Sequence, residues 1–265
     1  MAKISFIDLQ MTGNFGDYSL YKRKDSDKWI MRRKGGFSAE RLKNDPYLTA
    51  NKRESIRFGG KSSAARMIRD AMLGVDHLAD SRVHNSLFSR CSSIMELDLT
   101  LTKKEKQSII FSNGRHLLQG FSLNRVNPFD SIISTPIEFS INRNLYSASV
   151  QLPPLTPRKN FISPWSFPFF RFVVSLGIIR DMVFNGTVYR PANMDTGENT
   201  VSIATDWATV KSEHPGMTLE LALDNPELDS SSYLLLALGI EFGTQMSNGI
   251  EHVDKAGSGK ILGLE

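Results

Sequence analysis

The chain has 265 residues, of which 40% are hydrophobic and 9% are aromatic. This composition excludes an intrinsically disordered chain, which has fewer apolar residues, and it predicts one large folded domain or two joined ones. The formal net charge of +4 conceals an asymmetry, because residues 1–72 carry +8 and residues 181–265 carry −9. Such opposite poles favour complementary surfaces within one molecule or between copies, or a basic end that binds an external polyanion.

The N-terminus and the cysteine content indicate the compartment. Asp8 comes before any apolar segment that could serve as a secretory signal, and the longest apolar run, residues 233–240, is far below the roughly 20 residues that span a bilayer. We therefore expect a soluble cytoplasmic protein without membrane insertion. Cys91 is the single cysteine, so neither an internal disulfide nor a thiolate metal cluster is expected, and a buried position on a helix is predicted for it.

Residues 1–36 predict a basic β-hairpin arm. Segments 4–6 and 18–23 are rich in β-branched and aromatic residues, and turn signals occur at 13–16 and 25–27. The two arms of the hairpin, 19–24 and 28–34, alternate bulky apolar residues with cations. An isolated hairpin is barely stable, so this one needs a partner that covers its apolar residues and edges.

Residues 37–127 predict a helical segment. Ser62 is the predicted N-cap of a first helix, whose apolar residues recur every three or four positions at Ala64, Ile68, Ala71, Met72 and Val75. A second helix is predicted from Val83, Leu87, Cys91, Ile94 and Met95. A capping-box pattern at residues 102–105 predicts the start of a third.

Residues 128–265 predict a β-rich domain. Apolar and polar residues alternate in short runs separated by turn residues, which predicts strands at 137–141, 145–152, 169–179, 182–189, 201–210, 217–223, 233–242 and 250–264. The strands favour an antiparallel β-sandwich, Ig-like or jelly-roll-like, so that the whole chain has an α+β fold. The Pro-rich segment 152–168 is predicted as a rigid crossover, 234–238 as part of a central strand, and 185–187 as a hairpin turn.

Several segments carry a family resemblance. Gly35-Gly36-Phe37-Ser38, Asn44-Asp45-Pro46 and Phe58-Gly59 are followed by residues 117–121 and 236–242. Together these segments resemble an uncharacterised family of bacterial proteins with an N-terminal hairpin, a GG/NDP/FG signature and a β-rich C-terminal half. The resemblance implies this order of segments, and it implies no activity and no site residue.

Motifs for catalysis, metals and nucleotides are weak. Gly257-Ser258-Gly259-Lys260 resembles the end of a phosphate-binding loop, but the required earlier glycine is Asp254 and the magnesium-binding Ser or Thr is Ile261, so a turn before the last strand is predicted.

Histidines and carboxylates offer no better site. His77 and His84 are seven residues apart, about 10.5 Å along a helix, which is too far for one zinc ion. The acidic cluster of Asp224, Glu227 and Asp229 is interpreted as a solvated loop rather than a calcium site. We therefore predict no enzyme activity, cofactor or metal, and the sequence identifies no small-molecule ligand.

The basic arm is the candidate interaction site. Aromatic rings among cations are typical of surfaces that track a nucleic-acid backbone. Alternatively, Tyr21, Trp29 and Met31 pack inward while the cations face water or the acidic part of a neighbouring copy. The candidate residues are Tyr21, Lys22, Arg23, Lys24, Lys28, Trp29, Arg32, Arg33, Lys34, Arg41, Lys43, Lys52, Arg53 and Arg57.

Two functions follow from this site. The first is a non-enzymatic structural or interaction protein, a homo-oligomer or larger assembly, in which the basic arm docks onto an acidic β-sandwich surface. The alternative is a DNA- or RNA-binding protein that uses the same arm.

Overall fold

The computed structural model describes residues 12–23, 28–99, 107–193, 200–224 and 228–265, except for the side chains of Ala39 and Lys43. The chain forms two compact units, residues 1–54 and residues 55–265. The predicted boundaries at residues 36 and 127 stay predictions. The strand predicted at 4–6, the turn at 25–27 and the capping box at 102–105 lie outside the described residues.

The first element described in the first unit is a three-stranded antiparallel sheet. Its strands, in the order β1-β2-β3, are β1 (Gly13–Phe15), β2 (Tyr18–Lys22) and β3 (Trp29–Arg33). The predicted pairing of β2 with β3 is confirmed. The turn predicted at 13–16 is wrong in part, because Gly13–Phe15 pairs with β2 as a third strand and the chain reverses at Gly16 and Asp17 instead.

Short helices follow the sheet, and the signature residues of the sequence form their caps. Ser38 Oγ accepts a hydrogen bond from the Arg41 N–H (3.1 Å) at the start of α1 (Ala39–Asn44). Asp45 then caps a 3₁₀ turn, Pro46–Leu48, by accepting from the Tyr47 N–H (2.9 Å). The GG/NDP part of the signature is therefore accounted for by local backbone geometry, with Gly36 at φ 98°.

Six helices are described along the chain, five of them after α1. They are α2 (Thr49–Ala71), α3 (Leu73–Asp76), α4 (Val83–Glu96), α5 (Arg115–Leu118) and α6 (Phe129–Ile132). The predicted helix around Cys91 is confirmed as α4, and Cys91 is buried. The prediction that Ser62 starts a helix is wrong, because α2 begins at Thr49 and Ser62 lies inside it, with its Oγ 3.4 Å from His84 Nε2.

The second unit is built on a five-stranded antiparallel sheet, here called the main sheet. Its strands are β6 (Phe169–Arg180), β9 (Thr200–Ala204), β10 (Ala208–Thr209), β12 (Ser232–Met246) and β13 (Gly249–Leu264). β12 lies between β6 and β13, and β9 and β10 both pair with the other edge of β6. The predicted central position of residues 234–238 is confirmed.

Two smaller antiparallel sheets complete the unit. One has the order β11-β5-β4 and consists of β4 (Glu138–Asn142), β5 (Ser147–Leu152) and β11 (Met217–Ala222). The other pairs β7 (Met182–Phe184) with β8 (Tyr189–Pro191) through the predicted turn at residues 185–187. The Pro-rich segment 153–168 connects β5 to β6, which lie in different sheets, as a crossover should.

Helices cover one face of the main sheet, and the β11-β5-β4 sheet covers the other. Alternate residues of β12, such as Leu235 and Ala237, join a core with α2, α3 and α4. The residues between them, such as Leu236 and Leu238, join a second core with β5 and β11. A strand that is buried on both faces is apolar throughout, which explains the unbroken apolar run in β12.

Glycines let the helical layer approach this sheet closely. A Cβ on Gly177 of β6 would lie 2.0 Å from the Ala71 carbonyl oxygen. Gly257 and Gly259 lie inside β13, where a Cβ would collide with Leu78 or Leu123, so the turn predicted at residues 257–260 is wrong. These positions need glycine for space rather than for phosphate binding.

The β-rich C-terminal half with antiparallel sheets is confirmed, while the Ig-like or jelly-roll-like type stays a prediction. Among the described residues, no helix combines the length and apolar character needed to cross a membrane.

Candidate interaction surface

The N-terminal sheet has two chemically different faces. Directly paired residues of an antiparallel sheet share a face, and successive residues alternate between faces. The pairings Phe15 with Tyr18, Leu20 with Met31 and Lys22 with Trp29 define the first face. This face, the apolar arm face, is formed by Phe15, Tyr18, Leu20, Trp29 and Met31, with Lys22 and Arg33 at its ends.

The apolar arm face is partly exposed. Phe15 and Tyr18 are each 45% exposed, and Leu20, Trp29 and Met31 are half-buried. Among the described side chains of residues 12–47, none is buried. A small sheet of this kind needs a covered apolar face for stability, so its large side chains indicate a surface that gains stability when a partner covers it.

The opposite face is more polar. Asn14, Ser19, Tyr21, Ile30 and Arg32 alternate with the residues of the apolar arm face, and the Arg32 guanidinium lies 5.9 Å from the centre of the Tyr21 ring. Tyr21 therefore lies on the opposite face from Trp29 and Met31, so the three do not pack together on one side as the alternative interpretation required.

The remaining candidate residues differ in their exposure. Lys22, Arg23, Lys28, Lys34 and Lys52 are exposed. Lys24 and the side chain of Lys43 lie outside the described residues.

The candidate arginines differ more than the lysines in exposure and in their partners. Arg33 Nη2 lies 3.8 Å from Asp17 Oδ2. Both side chains of this ion pair are about three-quarters exposed, so it contributes little to stability. Arg41 is exposed, and it contacts Asp45 at 3.3 Å and lies over the Phe37 ring. Arg53 is half-buried, and Arg57 is only 5% exposed, so including Arg57 in a basic surface patch is wrong.

A buried ion-pair cluster in the second unit was not predicted. Glu241 of β12 is 2% exposed and accepts hydrogen bonds from His77 Nε2 (2.7 Å) and from Arg171 Nε. The Arg171 guanidinium lies over the Trp207 ring at 4.5 Å. Burial acts to raise the pKa of the Glu241 carboxyl, but the two hydrogen bonds and positive charges outweigh burial and hold that pKa below its usual value.

This cluster ties α3 to the main sheet, since His77 is the residue that ends α3. Both oxygens of the carboxylate are occupied by its partners, which makes a structural role the consistent interpretation. His77 and His84 have different partners, Glu241 and Ser62. Within the described ranges, no three His, Cys, Asp or Glu side chains are grouped as metal ligands.

Asp181 is a second buried carboxylate. It lies between β6 and β7, is 6% exposed, and accepts hydrogen bonds from the Phe111 N–H (2.7 Å) and the Tyr233 hydroxyl (3.2 Å). Burial raises the pKa of Asp181 to about 6 against the effect of these hydrogen bonds, and the charge of Asp229 adds to the increase. The carboxylate anchors the 3₁₀ turn Phe111–Gly114 to the sheet.

The chain matches no protein-family model, no curated protein and no solved structure. The resemblance to the bacterial family with the GG/NDP/FG signature therefore stays a prediction.

Proposed function

We propose that the chain is a non-enzymatic interaction protein that self-assembles by docking its apolar arm face onto an acidic surface of another copy. The observation that carries the proposal is this partly exposed face, where Phe15, Tyr18 and Trp29 lie beside Leu20 and Met31 and no described side chain of the sheet is buried. The cations at its ends, Lys22 and Arg33, give the face a positive border.

The second unit supplies charge of the opposite sign. Between residues 181 and 265, six of its carboxylate groups are exposed and form neither an ion pair nor a hydrogen bond among the described residues. They are Asp206, Glu213, Glu220, Asp224, Glu251 and Asp254. A basic border that meets a carboxylate-rich surface fixes orientation and speeds encounter, while the apolar centre supplies affinity.

The aromatic side chains of the face are large enough to contribute to the free energy of association. Each buries about 150–250 Å² when fully covered, and about 25 cal/mol is gained per Å² of apolar surface. Phe15 and Tyr18 are 45% exposed and Trp29 is half-buried, so covering what remains of the three rings contributes roughly 6 kcal/mol before the costs of association, which are of similar size. A specific complex of moderate affinity is expected. If one copy docks head to tail on the next, the assembly closes into a ring or continues as a filament.

The test uses a matched pair of tyrosines. Tyr18 and Tyr21 lie on the same strand and are 45% and 38% exposed, but they lie on opposite faces. After nuclease treatment, multi-angle light scattering should give the wild-type chain a mass that is a multiple of 29.7 kDa. Tyr18→Ser should shift the protein to monomer, and Tyr21→Ser should leave the multimer intact.

The charged border offers a second matched pair. Arg33 lies on the apolar arm face and Arg32 on the opposite face, so Arg33→Glu should weaken assembly more than Arg32→Glu. A monomeric wild-type protein at concentrations up to about 100 μM, well above moderate affinities, would rule the proposal out. Equal effects of Tyr18→Ser and Tyr21→Ser would also contradict it.

Nucleic-acid binding is the second candidate, since aromatic rings and cations on one sheet face also form a stacking platform for single strands. A fluorescent oligonucleotide of mixed sequence tests it. Binding that weakens steeply with salt and is lost in Tyr18→Ser, by a monomeric protein, would favour this candidate over self-assembly.

We propose that the two facing sheets of the second unit form an Ig-like or jelly-roll-like sandwich, because they share one core between them. We propose a cytoplasmic location, in keeping with a single buried cysteine. We also propose membership of the bacterial family with the GG/NDP/FG signature.

A further inference from the structure

A cleft of about 780 Å³ lies beside the Pro-rich crossover of the second unit. It is called the crossover cleft here, and it is lined by Arg158, Ile162, Trp165, Phe167, Val210 and Lys211, among others. Its volume falls within the range of about 300–1,000 Å³ that is typical of sites for small organic ligands. All of its lining residues belong to the second unit, so a ligand of this cleft does not depend on the proposed function of the apolar arm face.

Hydrogen bonds fix the shape of this cleft. The Asn160 side chain accepts from the Thr156 N–H (2.8 Å) and donates to the Pro154 carbonyl (2.8 Å). The Val210 N–H donates to the Pro168 carbonyl at 2.9 Å, which joins the two sides of the cleft. Because proline restricts the backbone further, the cleft is largely formed before any ligand binds.

Aromatic side chains form the apolar wall of the cleft. Trp165 is half-buried, and its ring lies 5.1 Å from that of Phe242 of β12. Phe161 is buried and stacks on Phe242 with an angle of 19° between the rings. Ile162 is 53% exposed. A flat apolar molecule would therefore find a rigid aromatic surface with the core of the protein behind it.

The charged residues of the crossover cleft are all cations. Arg158 and Lys211 are exposed and have no ion pair among the described residues, and no acidic residue lines the cleft. The cleft therefore presents only positive charge to a ligand.

Arg158 has an unusual backbone conformation. Its φ of 64° lies in the left-handed region, which residues other than glycine seldom occupy. The Arg158 N–H donates to the Phe161 carbonyl at 2.9 Å, and this bond holds the turn in place. Such strain is found more often at binding sites than elsewhere, which agrees with a role for this arginine in the cleft.

We propose that the crossover cleft binds a small organic anion with a flat apolar body. The apolar body lies against Trp165 and Ile162, and the anionic group is held by Arg158 and Lys211. Carboxylates, sulfonates and phosphates share the recognised chemistry, since each offers negatively charged oxygens to a guanidinium and an ammonium group.

The experiment uses the full chain and the probe 8-anilinonaphthalene-1-sulfonate, whose fluorescence rises in apolar sites. Wild-type protein should bind one probe per chain saturably, and the probe should raise the unfolding temperature, which restricts the signal to folded protein. The double variant Arg158→Gln with Lys211→Gln should bind about tenfold more weakly. Lys159→Gln, which removes an adjacent exposed cation that does not line the cleft, should bind as wild type does.

The uncharged probe N-phenyl-1-naphthylamine keeps the proposal testable if the double variant does not fold. Wild-type protein should bind the sulfonate at least about tenfold more tightly than this neutral analogue. Displacement of the sulfonate by 1-naphthoate or by 1-naphthyl phosphate then identifies the preferred anionic group. Equal affinity for charged and neutral probes, undiminished binding by the folded double variant, or equal loss in Lys159→Gln would overturn the proposal.

Discussion

The buried carboxylate of Asp181 makes the stability of the fold depend on pH in an unusual direction. Its pKa is raised from an ordinary value of 3.8 to about 6 by burial. The folded protein therefore holds a proton that the unfolded chain has released between these two pH values. The contribution of this group to stability is fully present below pH 3.8 and is lost as the pH rises through 6.

The size of the effect follows from the pKa shift. One pKa unit corresponds to about 1.4 kcal/mol, so a shift of roughly two units corresponds to about 3 kcal/mol. In Asp181→Asn the side chain is neutral at every pH, and its carbonyl oxygen can still accept from the Phe111 N–H. We expect the variant to gain about 2–3 kcal/mol relative to wild type between pH 4 and pH 8.

Urea unfolding followed by circular dichroism at pH 4, 5, 6, 7 and 8 measures this difference. Asp224→Asn is the matched control, because Asp224 is exposed and has no hydrogen bond or ion pair among the described residues. Its difference from wild type should stay constant across the series. If the Asp181→Asn difference is equally constant, or grows in favour of wild type at high pH, the account of this buried carboxylate is wrong.

Three further predictions concern the core. Gly60→Ala should destabilise the fold by about 2–4 kcal/mol, because its Cβ would lie 2.5 Å from the Tyr189 ring, while Gly59→Ala faces open space and should stabilise by up to about 1 kcal/mol in urea unfolding. Burial raises the pKa of the Cys91 thiol to about 12, so a disulfide reagent at pH 8 should label it only after unfolding; rapid labelling of the folded protein would contradict its burial. Glu241→Gln should lower stability by about 2–4 kcal/mol at pH 7, since it removes the charge that its two partners share. This loss should shrink as the pH falls, because the lowered pKa of Glu241 means that its contribution is lost on protonation.

Strong local periodicity made part of the fold predictable. The apolar residues of α4 recur every three or four positions, and the structure forms that helix over Val83–Glu96. The run at residues 234–238 is apolar on both faces, and it lies at the centre of the main sheet. In both cases the pattern of one segment is enough to indicate which faces must be covered.

The errors arose where distant residues decide the local structure. Ser62 is a favoured N-cap residue and glycine is unfavourable inside a helix, so local propensity alone places the helix start after Gly59-Gly60. The helix nevertheless continues through both glycines, since Gly60 lets Tyr189 pack directly on its backbone. The pair of Glu241 and His77 joins residues 164 positions apart, and the sequence contains no local signal for it.

Charge also behaves differently in the structure than along the sequence. Of the acidic residues in 181–265, Asp181 and Glu241 are buried, and Glu265 pairs with Arg115 at 3.1 Å. Arg57 of the basic pole is buried as well. Fewer charges therefore remain for docking than the sequence totals suggest.

This reduction changes what salt should do to the proposed assembly. Border charges on a largely apolar interface mainly set the rate of association, whereas buried apolar side chains set the rate of dissociation. We therefore expect high salt and Arg33→Glu to slow assembly with a modest loss of affinity, and Tyr18→Ser to speed dissociation. Stopped-flow light scattering after mixing and after dilution separates the two rates. If Arg33→Glu speeds dissociation as much as Tyr18→Ser does, charge rather than the apolar arm face holds the copies together.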